Sequence, residues 1–399
     1  MNRVINPNVL SVKPIIESVE NYMKIHLISI HESIDDYVFG HKTKSRIFWV
    51  WMTRVAVLIS LMRVVTTALI GTHSARVLAM DFSYMLVDPV MAAVGAICIL
   101  VVTLAIAITI TYMEISHNIP LIDVLYRVKY KIIKFPLIKD NYRKLQANSN
   151  LILKRFLYPV HIFGFVLYVI IHLVFTLILY STNEKTIVTT LSLIITNIMV
   201  IITLDMIITF GVVGIILWFG SATYLKMKFN EINDKIIKSF KTKDINLLIY
   251  SMKEHNYVEK MTQDANLFVR TITFYLYYIA TAGILIAIYG IHKEDTTISG
   301  RIVIFLIAFS GSFIIFGLNF MSTWISTAAH KPYKTLYSLM FRNIRITLKE
   351  RFKLLSFIEK LSGPDIGFYC YDLFPLNSYE FYQYIYISGL NYFLLMSLF

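Results

Sequence analysis

Charge is the scarcest commodity in this chain of 399 residues. Only 16% of them are Asp, Glu, Lys or Arg, where a soluble domain carries about 25%. Hydrophobic residues make up 57% and gather into long runs, which excludes an ordinary soluble surface and points to lipid as the solvent. Cysteine is nearly missing. Cys98 lies inside an apolar run and Cys370 far from it, so no disulfide is expected. Two distant cysteines and ten scattered histidines make no metal set, and neither a metal nor a cofactor is expected. The net charge of +13 forms no single basic stripe, which argues against nucleic acid as a partner. Glu17, Glu20, Glu32, Asp35 and Asp36 interrupt the first forty positions, so no signal peptide is expected there. A Gly-rich phosphate loop, His-Glu-x-x-His and Gly-x-Ser-x-Gly are all missing, and the chain is not expected to be an enzyme.

What is present is a set of seven apolar runs of spanning length, at about 47–71, 85–112, 156–180, 191–222, 267–291, 302–326 and 379–399. Arg54 and Arg63 weaken the first, and Asp205 lies in the fourth, which is long enough to tilt or project beyond the bilayer. The segment before the first run and the 113–155, 223–266 and 327–378 loops together hold 31 basic residues, against 4 in the other three loops. Basic loops stay in the cytoplasm. The expected fold is therefore an all-α polytopic membrane protein with seven transmembrane helices. Its N-terminus is cytoplasmic, its C-terminus extracellular, and its long inner loops form cytoplasmic helical extensions. The expected division is a cytoplasmic segment 1–46, a six-span bundle 47–326, a cytoplasmic helical anchor 327–378 and a seventh span 379–399.

The inner loops read as helical. From Leu336, apolar residues recur at Met340, Ile344, Leu348, Phe352 and Leu355 between basic positions, an amphipathic spacing. This predicts a helix over 331–361 that packs in a layer below the membrane or lies on anionic headgroups. Residues 223–240 extend the fourth span into the same layer. Ser362-Gly363-Pro364 closes the 331–361 helix, and Pro375 keeps the next stretch from continuing as one. The last span then starts near Ser378.

The chain ends Asn391-Tyr392, then Phe393-Leu394-Leu395-Met396-Ser397, then Leu398-Phe399. This ending resembles that of the arthropod gustatory and odorant receptors, the seven-span chemosensory receptors with an internal N-terminus. They close on Thr-Tyr, five mostly apolar residues and Gln-Phe. Tyr392, Phe399 and the spacing are kept; Asn391 stands for the Thr and Leu398 for the Gln. Upstream, the Gly367-Phe368 pair and the short stretch before the last span are similar too, and the ending fits the gustatory branch better. The resemblance implies a ligand-gated cation channel, a homo- or heterotetramer with related receptors. It would sit in the plasma membrane of sensory neurons and be opened by a small-molecule tastant. The last span of each subunit would line one pore, the cytoplasmic layer would hold the tetramer, and a pocket in the outer half of spans two to six would take the ligand.

On a pore helix one face meets water. Steps of three or four link Tyr386, Leu390, Leu394 and Ser397; Leu390 and Leu394 form a candidate apolar gate, while Gln383 and Asn391 line the path or bond a neighbour. The alternative is a lipid-facing span with tyrosines in its headgroup belts. For the ligand, Tyr168, His172, Thr176 and Tyr180 share a face of the third span, joined by Thr196 and Asn197 in the fourth and Tyr278, Thr281 and Tyr289 in the fifth, with Ser310 and Ser312 in the sixth. Helix-to-helix hydrogen bonding is the other reading of that stripe. Asp205, an acid within the membrane, needs a partner, for which Arg63 or His172 are candidates, or a proton. Arg54 is expected to snorkel toward the inner face. A G-protein-coupled type receptor remains an alternative despite the inverted charge pattern and the missing Asp-Arg-Tyr and Asn-Pro-x-x-Tyr motifs. So does a secondary transporter, although no repeat relates the halves.

Overall fold

The computed structural model describes residues 31, 33, 35, 36, 43–70, 72, 89–116, 158–181, 186–292, 298–340 and 347–398. Most of the 1–46 segment, the bulk of the 113–155 loop, Ile344, Arg342, Arg345 and Phe399 lie outside the described residues. Helices stand where the apolar runs fall: α1 (Lys44–Ile70), α2 (Pro89–Ile115), α3 (Tyr158–Ser181) and α4 (Ile187–Thr242). α5 (Ile245–Tyr275) continues through a π turn (Leu276–Ala280) into α6 (Thr281–His292), and α7 (Ile298–His330) follows. Two shorter helices, α8 (Tyr333–Met340) and α9 (Leu348–Ser362), precede a two-stranded antiparallel hairpin of β1 (Tyr369–Cys370) and β2 (Phe374–Pro375) and the final α10 (Ser378–Leu398).

Among the described residues five helices are long and apolar enough to cross a membrane: α1, α2 from Ala93, residues 161–178 of α3, residues 187–211 of α4, and the continuous 245–292 helix. α7, with no acid, Lys or Arg from Ile302 to His330, and α10 hold the sixth and seventh places. α10 carries five tyrosines with Gln383 and Asn391 in its 21 residues, more polarity than lipid alone would favour.

The lengths of α4 and α5 have a local cause. α4 is 56 residues, about 84 Å at 1.5 Å per residue, so its second half leaves the apolar zone as the sequence predicts. It begins on a reciprocal Thr186–Thr189 cap and stops at Lys243, which takes a left-handed conformation (φ 56°) and sends its N–H to the Ser239 carbonyl. Asp244 then caps α5 through the Leu247 N–H, so the chain reverses in two residues and α5 climbs back along α4.

On the basic side, α4, α5, the end of α7, α9 and the hairpin enclose one core built around Leu225, Phe229, Ile232, Ile236, Phe357 and Phe368. Helix ends are satisfied across it. The last carbonyls of α7 have no partner within the helix; Asn233 Nδ2 donates to Ala328 O at 2.9 Å and His255 Nε2 to Ala329 O at 3.0 Å. The His255 ring is fully buried between Phe229 and Phe357, with centroids at 4.9 and 5.0 Å. Beside it Lys228, Glu231 and Glu254 are buried together. Lys228 Nζ lies 3.2 Å from Glu231 and 3.7 Å from Glu254, and Lys235 closes the network at 2.6 Å from Glu254. Burial draws the Lys228 pKa down, opposed by the two carboxylates.

Two expectations on this side change. The 331–361 helix is not continuous, because Thr347 and Glu350 form a capping box that starts α9 afresh at Leu348. Its buried face is Leu354, Phe357, Ile358 and Leu361, spaced i, i+3, i+4 and i+7, whereas the stripe read from the sequence, Leu348, Phe352 and Leu355, points outward. α9 therefore has two apolar faces, of which the described residues cover the one formed by Leu354, Phe357, Ile358 and Leu361. Arg54 also does not snorkel. It is 2% exposed, its Nε donates to Thr111 Oγ1 of α2 at 3.3 Å, and its guanidinium stands 5.7 Å from the Phe210 ring centroid with Glu114 nearby. Polar partners on α1 and α2 make an interior position tolerable.

Burial holds the His255 imidazole neutral and pushes its pKa down to about 4. An unfolded His binds its proton near 6.5. The contribution from the neutral ring is then fully present above about pH 6.5 and is lost as pH falls toward 4; over that window it amounts to about 3 kcal/mol. The thermal midpoint of the solubilised protein is expected to fall over this range, and His255→Gln to flatten the dependence. An unchanged slope in that variant would remove His255 as its source.

Candidate pore helix and ligand-side contacts

α10 starts because Asn377 caps it: its side-chain oxygen accepts the Glu380 N–H at 2.9 Å and its carbonyl the Phe381 N–H at 3.1 Å. The hairpin before it is fixed to α5. Arg270 O accepts the Tyr371 N–H, the Arg270 guanidinium meets Asp372 at 3.1 Å, and Asn266 accepts the Tyr369 N–H. The hairpin packs Phe368 edge-on against Trp218 of α4 and buries Cys370, whose thiol is pushed up to about 12 by burial. The entry to the last helix is thus a rigid corner.

Once inside the bundle, α10 lies against α6 and α7. Phe381, Tyr384, Ser388 and Tyr392, at steps of three and four, are half-buried and face that contact. Tyr384 carries the sharpest connections. Its hydroxyl is 2.7 Å from Thr281 Oγ1 at the start of α6, and its ring stands edge-on to Tyr277 at 4.8 Å. Tyr277, in the π turn, hydrogen-bonds Asn319 of α7. Further along, Phe381 packs on Phe316 of α7, and the Tyr392 hydroxyl lies 3.3 Å from His292 Nδ1. π turns recur at functional sites, and this one gathers the fifth, sixth and seventh spans around a single polar knot.

On the opposite face, Gln383, Tyr386, Leu390, Leu394 and Ser397 are all exposed in the single chain, and Asn391, seven residues after Tyr384, is exposed beside the packed face. The Gln383 amide donates to the Tyr379 hydroxyl one turn back at 2.8 Å, and Ser397 to the Leu394 carbonyl at 2.8 Å. α10 therefore presents one face of five residues, Gln383, Tyr386, Leu390, Leu394 and Ser397, that no described part of its own chain covers. Tyr392 is on the packed face, and Leu398 ends the helix.

The ligand-side candidates divide into two groups. His172 and Thr176 of α3 are buried, as are Thr196 and Asn197 of α4. The Thr176 hydroxyl donates to its own His172 carbonyl at 2.8 Å and approaches Asn197 Oδ1 at 3.3 Å, while the Tyr180 hydroxyl lies 2.8 Å from Thr190 Oγ1. Tyr168, at the other end of the stripe, is exposed. Tyr278 and Thr281 belong to the π-turn region, Tyr278 exposed and Thr281 committed to Tyr384; Tyr289 is buried in α6. Ser312 is exposed on α7, which also carries Ser310. Asp205 has a neighbour that sequence reasoning did not select: His161 Nε2 of α3 is 3.5 Å from its Oδ1. A His and an Asp 44 positions apart carry no local spacing signal. Among the described residues no group of three or more His, Cys, Asp or Glu is placed to hold a metal.

Two solved structures share this architecture almost end to end. The insect olfactory receptor OR5 from Machilis hrabei superposes with a TM-score of 0.67 over 96% of this chain and 98% of its own, at 11% identity. The same receptor in complex with eugenol gives 0.67 with the same coverage, at 9% identity. No protein-family model and no curated protein sequence matches the chain. At such identities the likeness defines the fold: a helical, polytopic membrane protein with the architecture of an insect olfactory receptor.

Proposed function

We propose that this chain is a chemosensory receptor of the insect type and of its gustatory branch, a subunit of a non-selective cation channel opened by a small-molecule tastant. It works in the plasma membrane of sensory neurons, as a homotetramer or with related subunits. The carrying observation is the bare face of α10. Gln383, Tyr386, Leu390, Leu394 and Ser397 face away from their own bundle, with Asn391 exposed at the flank, in a chain whose fold, over nearly its whole length, is that of an olfactory receptor. Copies arranged about a common axis bring these faces around one water path, with Leu390 and Leu394 closing it by dewetting. The Asn391-Tyr392 and Leu398-Phe399 ending supports the gustatory assignment.

Ligand contact falls to the outer half of the bundle, where Tyr168, His172, Thr176, Tyr180, Thr196, Asn197, Tyr278, Thr281 and Tyr289 supply polar groups among apolar walls. The bond between Thr281 and Tyr384 ties that region to the pore helix. Tyr384→Phe removes it and keeps the ring; at about 0.5–1.5 kcal/mol for the bond, the half-maximal ligand concentration is expected to shift several-fold. Thr281→Val should shift it alike and add nothing to Tyr384→Phe. Additive shifts would separate the two residues.

The reading itself is tested by current from cells that express this chain, with and without a related receptor, while tastants are applied and G-protein signalling is blocked. Current that persists under the block supports the channel. Current that disappears supports a coupled receptor, and slow saturable uptake a transporter.

A further inference from the structure

Where α7 leaves the apolar zone on the basic side, its end, the start of α8 and the end of α9 enclose an open cleft of about 660 Å³. Its walls are Thr327, His330, Lys331, Tyr333, Lys334 and Ser362. Three features distinguish it from an incidental dent. First, its floor is fixed. His330 Nε2 accepts the Ile366 N–H at 2.9 Å, so the imidazole proton sits on Nδ1 and is donated to the Leu361 carbonyl at 2.8 Å. That ring thereby ties α7 to α9 and to the segment leading into the hairpin. Second, the cations are not used up. Lys331 and Lys334 are exposed and form no ion pair with any described residue. Asp365, the acid near His330 at 3.8 Å, is engaged by the Asn377 amide at 2.5 Å. Third, the cleft is bordered by the first turn of α8, where leading backbone N–H groups lack helical partners and the helix dipole favours negative charge.

We propose that this cleft is a binding site for a phosphate-bearing anion, with the Lys331 and Lys334 ammoniums as the charge partners and the Thr327 hydroxyl and the α8 backbone as hydrogen-bond donors; the Ser362 hydroxyl is committed to the Glu359 carbonyl at 2.8 Å and lines the wall. Two clustered lysines at a membrane's inner edge suit multiply charged phosphates. The same chemistry is offered by a phosphorylated inositol headgroup in the inner leaflet and by a free inositol phosphate. The site stands apart from the proposed pore and ligand regions, and occupancy would bear on the corner through which α7 and α9 reach the hairpin and α10.

The full-length protein, purified in detergent, is mixed with phosphatidylcholine vesicles containing phosphatidylinositol bisphosphate, with vesicles in which phosphatidylserine supplies equal charge, and with soluble inositol trisphosphate. Cosedimentation and equilibrium dialysis read the binding. The expected result is preference for the bisphosphate vesicles over the serine lipid. Binding of the soluble trisphosphate as well assigns a free ligand; binding of vesicles alone assigns the lipid. Lys331→Gln with Lys334→Gln should weaken binding at least about tenfold, while Lys238→Gln with Lys241→Gln, an equal loss of charge on exposed lysines near the end of α4, should leave it unchanged. Thermal unfolding of both variants checks that each is folded. Equal retention on both vesicle types, equal losses in both variants, or no binding of any probe would overturn the proposal.

Discussion

Glu254→Gln is expected to destabilise the protein by about 3–5 kcal/mol, the scale for breaking a buried ion pair from one side. Glu254 is wholly inaccessible, and its two carboxylate oxygens hold two lysines from α4. Lys235 is partly exposed and can turn to water once its partner is neutral. Lys228 cannot: it is 1% exposed, and it would keep Glu231 at 3.2 Å but lose the Glu254 charge at 3.7 Å. Desolvation already lowers the Lys228 pKa, so loss of one of two carboxylates leaves a poorly compensated charge in the core joining α4 and α5. Thermal unfolding of the solubilised protein reads the effect. Asp234→Asn, an exposed acid on the same stretch of α4, should stay within about 0.5 kcal/mol of the unmodified protein. A Glu254 variant as mild as that control would show that the network contributes little to holding the layer together.

The second large effect concerns the gate. Leu390→Asn with Leu394→Ser is expected to produce current without ligand. In the proposed assembly each leucine closes against its symmetry mates, and a fully buried Leu is worth about 1.5–3 kcal/mol relative to exposure. Several copies act on one gate, so losing even part of that term raises the resting open fraction by about tenfold or more. Both positions are exposed in the single chain, so the substitutions disturb no packing within it. Polar substitutions on the opposite face, at Phe381 or Ser388, should reduce surface expression or response rather than open the channel. Silent resting cells, with normal ligand responses from the Leu390 and Leu394 variant, would place the gate elsewhere.

Much of this was legible in the sequence because long apolar runs and charge blocks are local signals. The helices fall on the seven runs, α4 extends past Trp218 as the 223–240 pattern indicates, and α10 starts at Ser378 after the Pro375 interruption. Helical spacing alone also separates the exposed Leu390 and Leu394 from the half-buried Tyr384 and Ser388. What escaped depends on residues far apart in the chain. Arg54 is buried because Thr111, 57 positions later, accepts its N–H. His255 reads as one more polar residue of an inner loop until the Ala329 carbonyl, 74 positions on, accepts its N–H. His161 acquires meaning only beside Asp205. In α9 the period was visible but the phase was not, since two apolar faces share one helix and tertiary packing chose Leu354, Phe357, Ile358 and Leu361.

The central claim, that the bare face of α10 borders the ion path, is tested most directly by cysteine substitution along the helix. Cysteines at Gln383, Tyr386, Leu390, Leu394 and Ser397 are treated one at a time with a charged, water-soluble thiol reagent while ligand-evoked current is recorded. Cysteines at Phe381, Tyr384 and Ser388 serve as the comparison. The native Cys370 is buried and Cys98 partly so, which keeps the background low. The account predicts loss of current in the first set, with a three-to-four-residue period along the helix, and little change in the second. Reagent sensitivity without that period, or confined to Phe381, Tyr384 and Ser388, would contradict it.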